Sequence, residues 1–226
     1  MSTDPFDRVA GRYRQMLDRC VGASGEGSEY FARYKARYVA RTLGKLAGGT
    51  LLDFGCGVGV LAACLKQELP AWRLDGYDVS AGSIRAVPAG LASAGTFTDD
   101  PADLRDRYDA VVLSNVLHHV APERRDRVVF QLRDRLAAGG KLFVFEHNPA
   151  NPVTRWVVAR CEFDRDAILV PPADAVATLG RAELRLLRRE YIVFFPRALA
   201  WLRAAERRLG WCPAGAQYAL VAERVY

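Results

Sequence analysis

Two carboxylates, three glycines and three histidines carry most of the chemistry this sequence can offer. Asp53-Phe54-Gly55-Cys56-Gly57-Val58-Gly59 sets an acid two residues ahead of a G-x-G-x-G loop, and Asp78 follows roughly 20 residues after it. Glycines lack a Cβ, so such a loop can take positive φ and close its backbone on a ligand. A carboxylate at the end of a second strand can accept both hydroxyls of a ribose, and the two features together point to a small nucleoside-bearing cofactor. Asp78 also has a plainer reading, as the cap of the helix that follows. The only histidines, His118, His119 and His147, fall at the ends of two later apolar runs, with Glu146 beside the last. Histidine titrates near neutral pH, so these four residues form a pool that could orient a nucleophile or take its proton. A buried, hydrogen-bonded structural histidine fits the same pattern, and no metal is assigned.

The elements that must position these groups follow from hydrophobic pattern. Thr50 to Phe54 is an unbroken apolar run behind Gly48-Gly49, the length of a strand covered on both faces. Behind the loop a helix runs from Val60 to Glu68, pairing Val60 with Cys64 and Leu61 with Leu65, and Pro70 stops it. Arg73 to Ser80 predicts a second strand ending in an acid and Gly95 to Leu104 a third strand and its exit; the fourth starts at Tyr108 and runs into the turn at Leu117-His118-His119. A helix from Pro122 carries Val128, Val129, Leu132 and Leu136 on one face with Gly139-Gly140 past its end, and Lys141 to His147 is the fifth strand. Strands alternating with helices at this spacing imply a parallel sheet with ligands at the carboxyl ends of its strands. Leu184 to Phe195 predicts a sixth strand, Arg197 to Leu209 a helix with Leu199, Leu202 and Leu209 inward, and Gln217 to Val225 a last strand.

A nicotinamide fingerprint needs G-x-G-x-x-G, with glycine at position 60, where this chain has Val60. Asp53-x-Gly55-x-Gly57-x-Gly59 instead resembles motif I of the class I S-adenosylmethionine-dependent methyltransferases. The stretch from Tyr108 to Leu117-His118-His119 is similar to their post-motif segment, and Asp100-x-x-Asp103-Leu104 to the region whose acid meets the adenine amino group. The resemblance covers nearly the whole chain and is to a small single-domain bacterial type with no substrate attached to it. It implies a Rossmann-like α/β fold: a seven-stranded, mostly parallel sheet, flanked by helices, whose last strand enters antiparallel between the fifth and sixth, with an N-terminal helical lid. It implies S-adenosyl-L-methionine as cofactor, with Asp53, Gly55, Cys56, Gly57, Gly59, Asp78, Val79, Asp100 and Asn115 as the cofactor-binding set. Asp53 would satisfy the methionine ammonium. The activity implied is in-line methyl transfer to oxygen or nitrogen, with His118, His119, Glu146 and His147 as the catalytic pool.

One domain over 1–226 is expected: a helical cap at 1–47, the cofactor core at 48–146, a cap insertion at 147–182, and C-terminal strands and helix at 183–226. Two segments are not needed to build the sheet. One contains a Gly/Ser-rich hinge and a helix from Ser28 to Leu43; the other runs from His147-Asn148-Pro149 to Pro171-Pro172. Tyr13, Tyr30, Phe31, Tyr34 and Lys35 are candidates for enclosing cofactor or acceptor, and packing onto the core is the alternative for each.

The net charge of +6 raises nucleic acid as a partner. Arginines interleaved with acids, as in Glu123-Arg124-Arg125-Asp126-Arg127, read instead as solvated helix faces. The fourth strand is followed by Ser114-Asn115-Val116-Leu117 rather than the N-P-P-[YF] of methyltransferases acting on adenine amino groups. A small-molecule acceptor is therefore expected and nucleic acid disfavoured. No apolar stretch approaches the ~20 residues of a membrane span, and Met1-Ser2-Thr3-Asp4-Pro5 does not open like a secretory signal. A cytoplasmic monomer or homodimer without membrane contact is expected. The five scattered cysteines read as reduced thiols. A methyltransferase-fold protein that binds without turnover, a nicotinamide-binding oxidoreductase and a nucleic-acid or protein methyltransferase stay open as alternatives.

Overall fold

The apolar runs become the strands of one sheet in a computed structural model that describes residues 18–44 and 48–225. The strands are β1 (Thr50–Phe54), β2 (Arg73–Tyr77), β3 (Phe97–Thr98), β4 (Tyr108–Ser114), β5 (Leu136–His147), β6 (Leu184–Ile192) and β7 (Gln217–Arg224). Their spatial order is β3-β2-β1-β4-β5-β7-β6. Strands β1 to β5 pair in parallel, and β7 lies antiparallel between β5 and β6. This is the Rossmann-like sheet expected, including the inserted last strand. Strand order reverses beside β1, which opens a crevice beyond the carboxyl ends of β1 and β4.

The helices are α1 (Ser28–Leu43), α2 (Val60–Glu68), α3 (Ala81–Arg85), α4 (Ala89–Ala92), α5 (Pro122–Asp134), α6 (Pro152–Val158) and α7 (Pro172–Arg181). Alternation along β5 feeds two cores. Phe143 and Phe145 join Ala36, Val39 and Leu65 on the α1–α2 side. Leu142 and Val144 join Val129, Leu132 and Leu179 on the α5–α7 side. Each fully buried large apolar side chain contributes about 1.5–3 kcal/mol, so these two layers fix the register that brings the strand ends level. The i, i+4 and i, i+3 spacing of Ala32, Ala36, Val39 and Leu43 lays α1 on this core.

Several local expectations are corrected. Leu136, predicted on a helix, starts β5, and Gly139-Gly140 lie inside that strand rather than past a helix end. Leu136 pairs with Tyr108 and Lys141 with Ala110, leaving an irregularity that Gly139 accommodates at φ +72°. The Arg197–Arg208 segment is a 3-10 helix in which Leu199 is exposed and Glu206 is buried. The Glu206 carboxylate accepts the Phe194 and Phe195 amides at 3.2 and 3.1 Å, so it closes the chain reversal after β6. The expectation of reduced thiols fails at Cys20 and Cys161, which form a disulfide with Cα atoms 5.2 Å apart. Their separation of 141 residues hides the pairing, because it depends on how two segments outside the sheet meet. Cys56, Cys64 and Cys212 are free thiols. Tyr13 and the segment around it lie outside the described residues. Among the described residues, no helix is long and apolar enough to cross a membrane.

Candidate active site

The glycine loop closes against its own protein. Gly55, Gly57 and Gly59 take φ of +79°, +53° and +83°, and a Cβ on Gly55 would stand 2.3 Å from Val116 Cγ2. The Gly55 and Cys56 amides both donate to Tyr77 O, at 2.7 and 2.9 Å, and Gly59 donates to Cys56 O at 2.9 Å. Gly57 donates to Asp78 Oδ2 at 2.8 Å. These four amides are committed inside the protein and two carboxylates flank the loop, an arrangement that repels a pyrophosphate rather than cradling one. Asp78 Oδ1 also accepts the Ser80 amide at 3.0 Å, while Ser80 itself caps α3 by accepting from Ser83 N. Val79, next to Asp78, is exposed. Asp100 is exposed and caps the Pro101–Asp103 turn by accepting from Ala102 N at 2.8 Å.

Asp53, at the fourth position of β1, is buried, and its Oδ2 has no hydrogen-bond partner. Burial, and then the charge of Asp78, pushes its carboxyl up to about 7, while Lys35 works the other way. A buried carboxylate oxygen with no donor suits a ligand ammonium. Lys35 reaches down from α1, with Nζ donating to Ser114 Oγ at the end of β4 at 2.9 Å. Burial lowers its ammonium to about 8 against the opposing pull of Glu146 and Asp53. Next along the chain, Asn115 takes a left-handed φ of +57°, donates its amide to Phe145 O at 2.8 Å and leaves a buried Oδ1 unpartnered.

The second half of the site centres on Glu146, fully buried near the end of β5. Its Oε1 accepts the Val116 and Leu117 amides at 3.0 and 2.7 Å, and its Oε2 lies 2.5 Å from His118 Nδ1. Burial works against the His118 cation, but Glu146 and Asp164 outweigh it and raise the imidazole to about 9. His118 Nε2 stands 3.3 Å from Asp164 Oδ1, and His119 Nε2 stands 3.4 Å from the same oxygen. The His147 ring is 5.2 Å from that of His118, centroid to centroid. Burial, and then the neighbouring His118 charge, lowers both His119 and His147 to about 4. Buried Arg125 clamps the turn: Nε donates to Leu117 O and Val120 O at 3.0 Å each, and Nη2 to Ile168 O at 2.7 Å. Ile168 N returns a bond to His118 O at 2.8 Å, so the segment carrying Asp164 is tied directly to the histidine turn.

The structure thus brings Asp53, Lys35, Asn115, His118, Glu146 and His147 to one edge of the sheet. It places other residues of the covering helix elsewhere: Tyr30 lies under Arg203, whose Cζ is 4.3 Å from the ring, and Phe31 and Tyr34 pack against the core. Ser114, Arg125 and Asp164 belong to the site but did not stand out in the sequence. For Asp164 a faint signal exists, three acids in Cys161-Glu162-Phe163-Asp164-Arg165-Asp166 directly after a cysteine.

Fold and site together define a class I S-adenosylmethionine-dependent methyltransferase. The Methyltransferase domain family matches residues 28–205, and the chain belongs to that family. S-adenosylmethionine is its cofactor. Among solved structures, a SAM dependent methyltransferase from Archaeoglobus fulgidus is 16% identical with a TM-score of 0.67, over 87% of this chain and 95% of that one. Magnesium protoporphyrin IX methyltransferase from Synechocystis, with bound SAH, is 19% identical with a TM-score of 0.63, over 96% of each chain. In sequence, a protein of Pseudomonas aeruginosa named Ribosomal RNA small subunit methyltransferase C is 37% identical over 105 residues, 43% of this chain and 32% of the relative. Its namesake in Haemophilus ducreyi is 33% identical over 102 residues, 42% of this chain and 31% of the relative. The match thus spans about a third of these relatives' length. Their names correct the expectation of a small-molecule acceptor with nucleic acid disfavoured. That expectation rested on charges interleaved along the chain and on Ser114-Asn115-Val116-Leu117 in place of N-P-P-[YF]; Arg185, Arg188 and Arg189 on edge strand β6 and Arg155 on α6 are exposed, with Arg185 and Arg188 paired to Glu223 and Glu190.

Proposed function

We propose that this chain transfers the methyl group of S-adenosylmethionine to a nitrogen or oxygen of an RNA acceptor. The match to proteins named for small-subunit ribosomal RNA carries the acceptor class. The surface beside the site supports it. Trp156 on α6 is half exposed, with the Arg160 guanidinium stacked 4.2 Å from its ring centroid. Stacking of a base on such an aromatic, beside arginines that face phosphate, is a sequence-tolerant way to hold single-stranded RNA.

The residues present fit the cofactor. The unpartnered Asp53 Oδ2 accepts the methionine ammonium, and Asp78, held in place by the Gly57 and Ser80 amides, accepts ribose hydroxyls. Val79 borders the nucleoside, and Asp100 and Asn115 complete the cofactor wall. When bound, the cofactor supplies an electrophilic methyl on a sulfonium, and the protein's part is to align a nucleophile and exclude water. Lys35 closes α1 over the edge by its bond to Ser114. Glu146 fixes the Leu117-His118-His119 turn, leaving His119 and His147 to orient the acceptor.

Incubation with tritiated S-adenosylmethionine and with both undermethylated small-subunit ribosomal RNA and a panel of small metabolites tests this. Label retained on RNA is the expected result. Label found only in low-mass products would overturn the RNA acceptor and leave the cofactor assignment standing.

A further inference from the structure

The histidine turn and the 162–164 segment bring three candidate donors together around one buried nitrogen that makes no hydrogen bond. His118, His147 and Asp164 each offer a ligand atom, and these atoms lie within 4.8 Å of one another. His118 Nε2 is the telling one: its residue is 2% exposed, and the nitrogen faces the cluster without a hydrogen-bond partner, misaligned with the Asp164 oxygen 3.3 Å away. A buried nitrogen with no partner costs stability unless something accepts or supplies charge there.

We propose that His118, His147 and Asp164 form a binding site for a single divalent transition-metal ion of the zinc class. Donors about 2.0–2.1 Å from zinc in a tetrahedral array stand roughly 3.3–3.4 Å apart; His118 and Asp164 stand 3.3 Å apart, and all three ligand atoms fall within 4.8 Å of one another, so an ion would draw His147 inward. The surroundings are those of a metal site rather than a chance cluster. Glu146 Oε2 sits 2.5 Å from His118 Nδ1 and keeps a proton on that nitrogen, so an ion binding here would displace the proton from Nε2, the carboxylate–histidine–metal relation. His119 Nε2 lies 3.4 Å from the same Asp164 Oδ1 and helps to hold the carboxylate in place. Two imidazoles and one carboxylate suit zinc, cobalt or ferrous iron better than magnesium or calcium, which favour all-oxygen sites. Three protein ligands leave a coordination position for water or a substrate oxygen or nitrogen, the pattern of a catalytic rather than a structural site.

The test needs neither cofactor nor acceptor, so it stands apart from the RNA reading. Tag-free full-length protein is stripped with chelator, returned to chelator-free buffer and titrated with Co2+, whose visible ligand-field bands report a low-coordinate nitrogen–oxygen site. Bands saturating at one equivalent and displaced by Zn2+ are expected. Asp164→Asn and His147→Ala should each weaken binding by about 10–100-fold or more, while Cys212→Ser leaves it unchanged. Asp164 lies on a segment outside the sheet, so its near-isosteric variant decides the matter even where His147→Ala fails to fold. Absence of bands, or bands of undiminished affinity in Asp164→Asn, would overturn the site.

Discussion

Lys35 and Ser114, 79 residues apart, are joined by a 2.9 Å hydrogen bond that ties the covering helix α1 to the end of the central strand β4. The ammonium is buried between two carboxylates, Asp53 and Glu146, which keep it from losing more of its basicity to burial. Replacing it with an isosteric apolar group removes the charge while keeping the packing. Lys35→Met should therefore fold, slow methyl transfer by about tenfold or more, and raise the pH at which Asp53 ionises, because the attraction from Lys35 is gone. Single-turnover rates and the pH dependence of S-adenosylhomocysteine affinity read both effects.

Asp53 should make cofactor affinity pH-dependent. Asp78 and Lys35 are the charged groups that act on it, and with burial they leave its carboxyl at about 7. Only the ionised form attracts an ammonium, so affinity for S-adenosylhomocysteine should fall as pH drops below 7, by up to about tenfold per pH unit. Stability of the free protein has the opposite sign. The folded state holds a proton that the unfolded chain releases near pH 4, so this group's contribution falls as pH rises from there through 7. Asp53→Asn should flatten the affinity profile and stabilise the free protein at pH 8, measured by calorimetry and thermal melting.

Glu146 is the hub of the histidine turn, accepting two backbone amides and paired with His118. Removing one member of a buried pair leaves the other uncompensated, at a cost of about 3–5 kcal/mol. Glu146→Ala should lower the urea midpoint accordingly, and an unchanged midpoint would show that the turn is held by Arg125 alone.

The Cys20–Cys161 disulfide joins the N-terminal arm to the segment bearing Asp164. Its long loop should make reduction cost about 2–5 kcal/mol. Reductant should lower the melting temperature of the wild type and leave Cys161→Ser unaffected.

Trp156→Ala should weaken binding of single-stranded RNA by about 1–3 kcal/mol if a base stacks on the ring. Fluorescence anisotropy with a labelled oligonucleotide checks it, and cofactor affinity should not move.

What was legible in the sequence was what neighbours in the chain decide. The β1–loop–α2 unit, the acid at the end of β2 and the alternation of strands and helices follow from local periodicity and glycine spacing, and the insertion of β7 follows from the resemblance. Contacts between distant segments were not legible. The Lys35–Ser114 bond, the approach of Asp164 to His118 and the Cys20–Cys161 pair depend on how two stretches outside the sheet fold back over its edge, and no periodicity encodes that. Amphipathic reading also failed at Leu199, because the helix there is 3-10 and turns the Glu206 carboxylate inward to cap backbone amides. The acceptor class was misread because neither interleaved charges nor the turn after β4 separates an RNA from a small molecule.

We assign the sulfonium nucleoside to the loop at Asp53–Gly59 and to Asp78. Titration calorimetry with S-adenosylhomocysteine and, in parallel, with NADH tests it most directly. Saturable heat with the first, none with the second, and a loss of about 1.5–3 kcal/mol in Asp78→Ala are expected. Tight NADH binding with no heat from S-adenosylhomocysteine would contradict it.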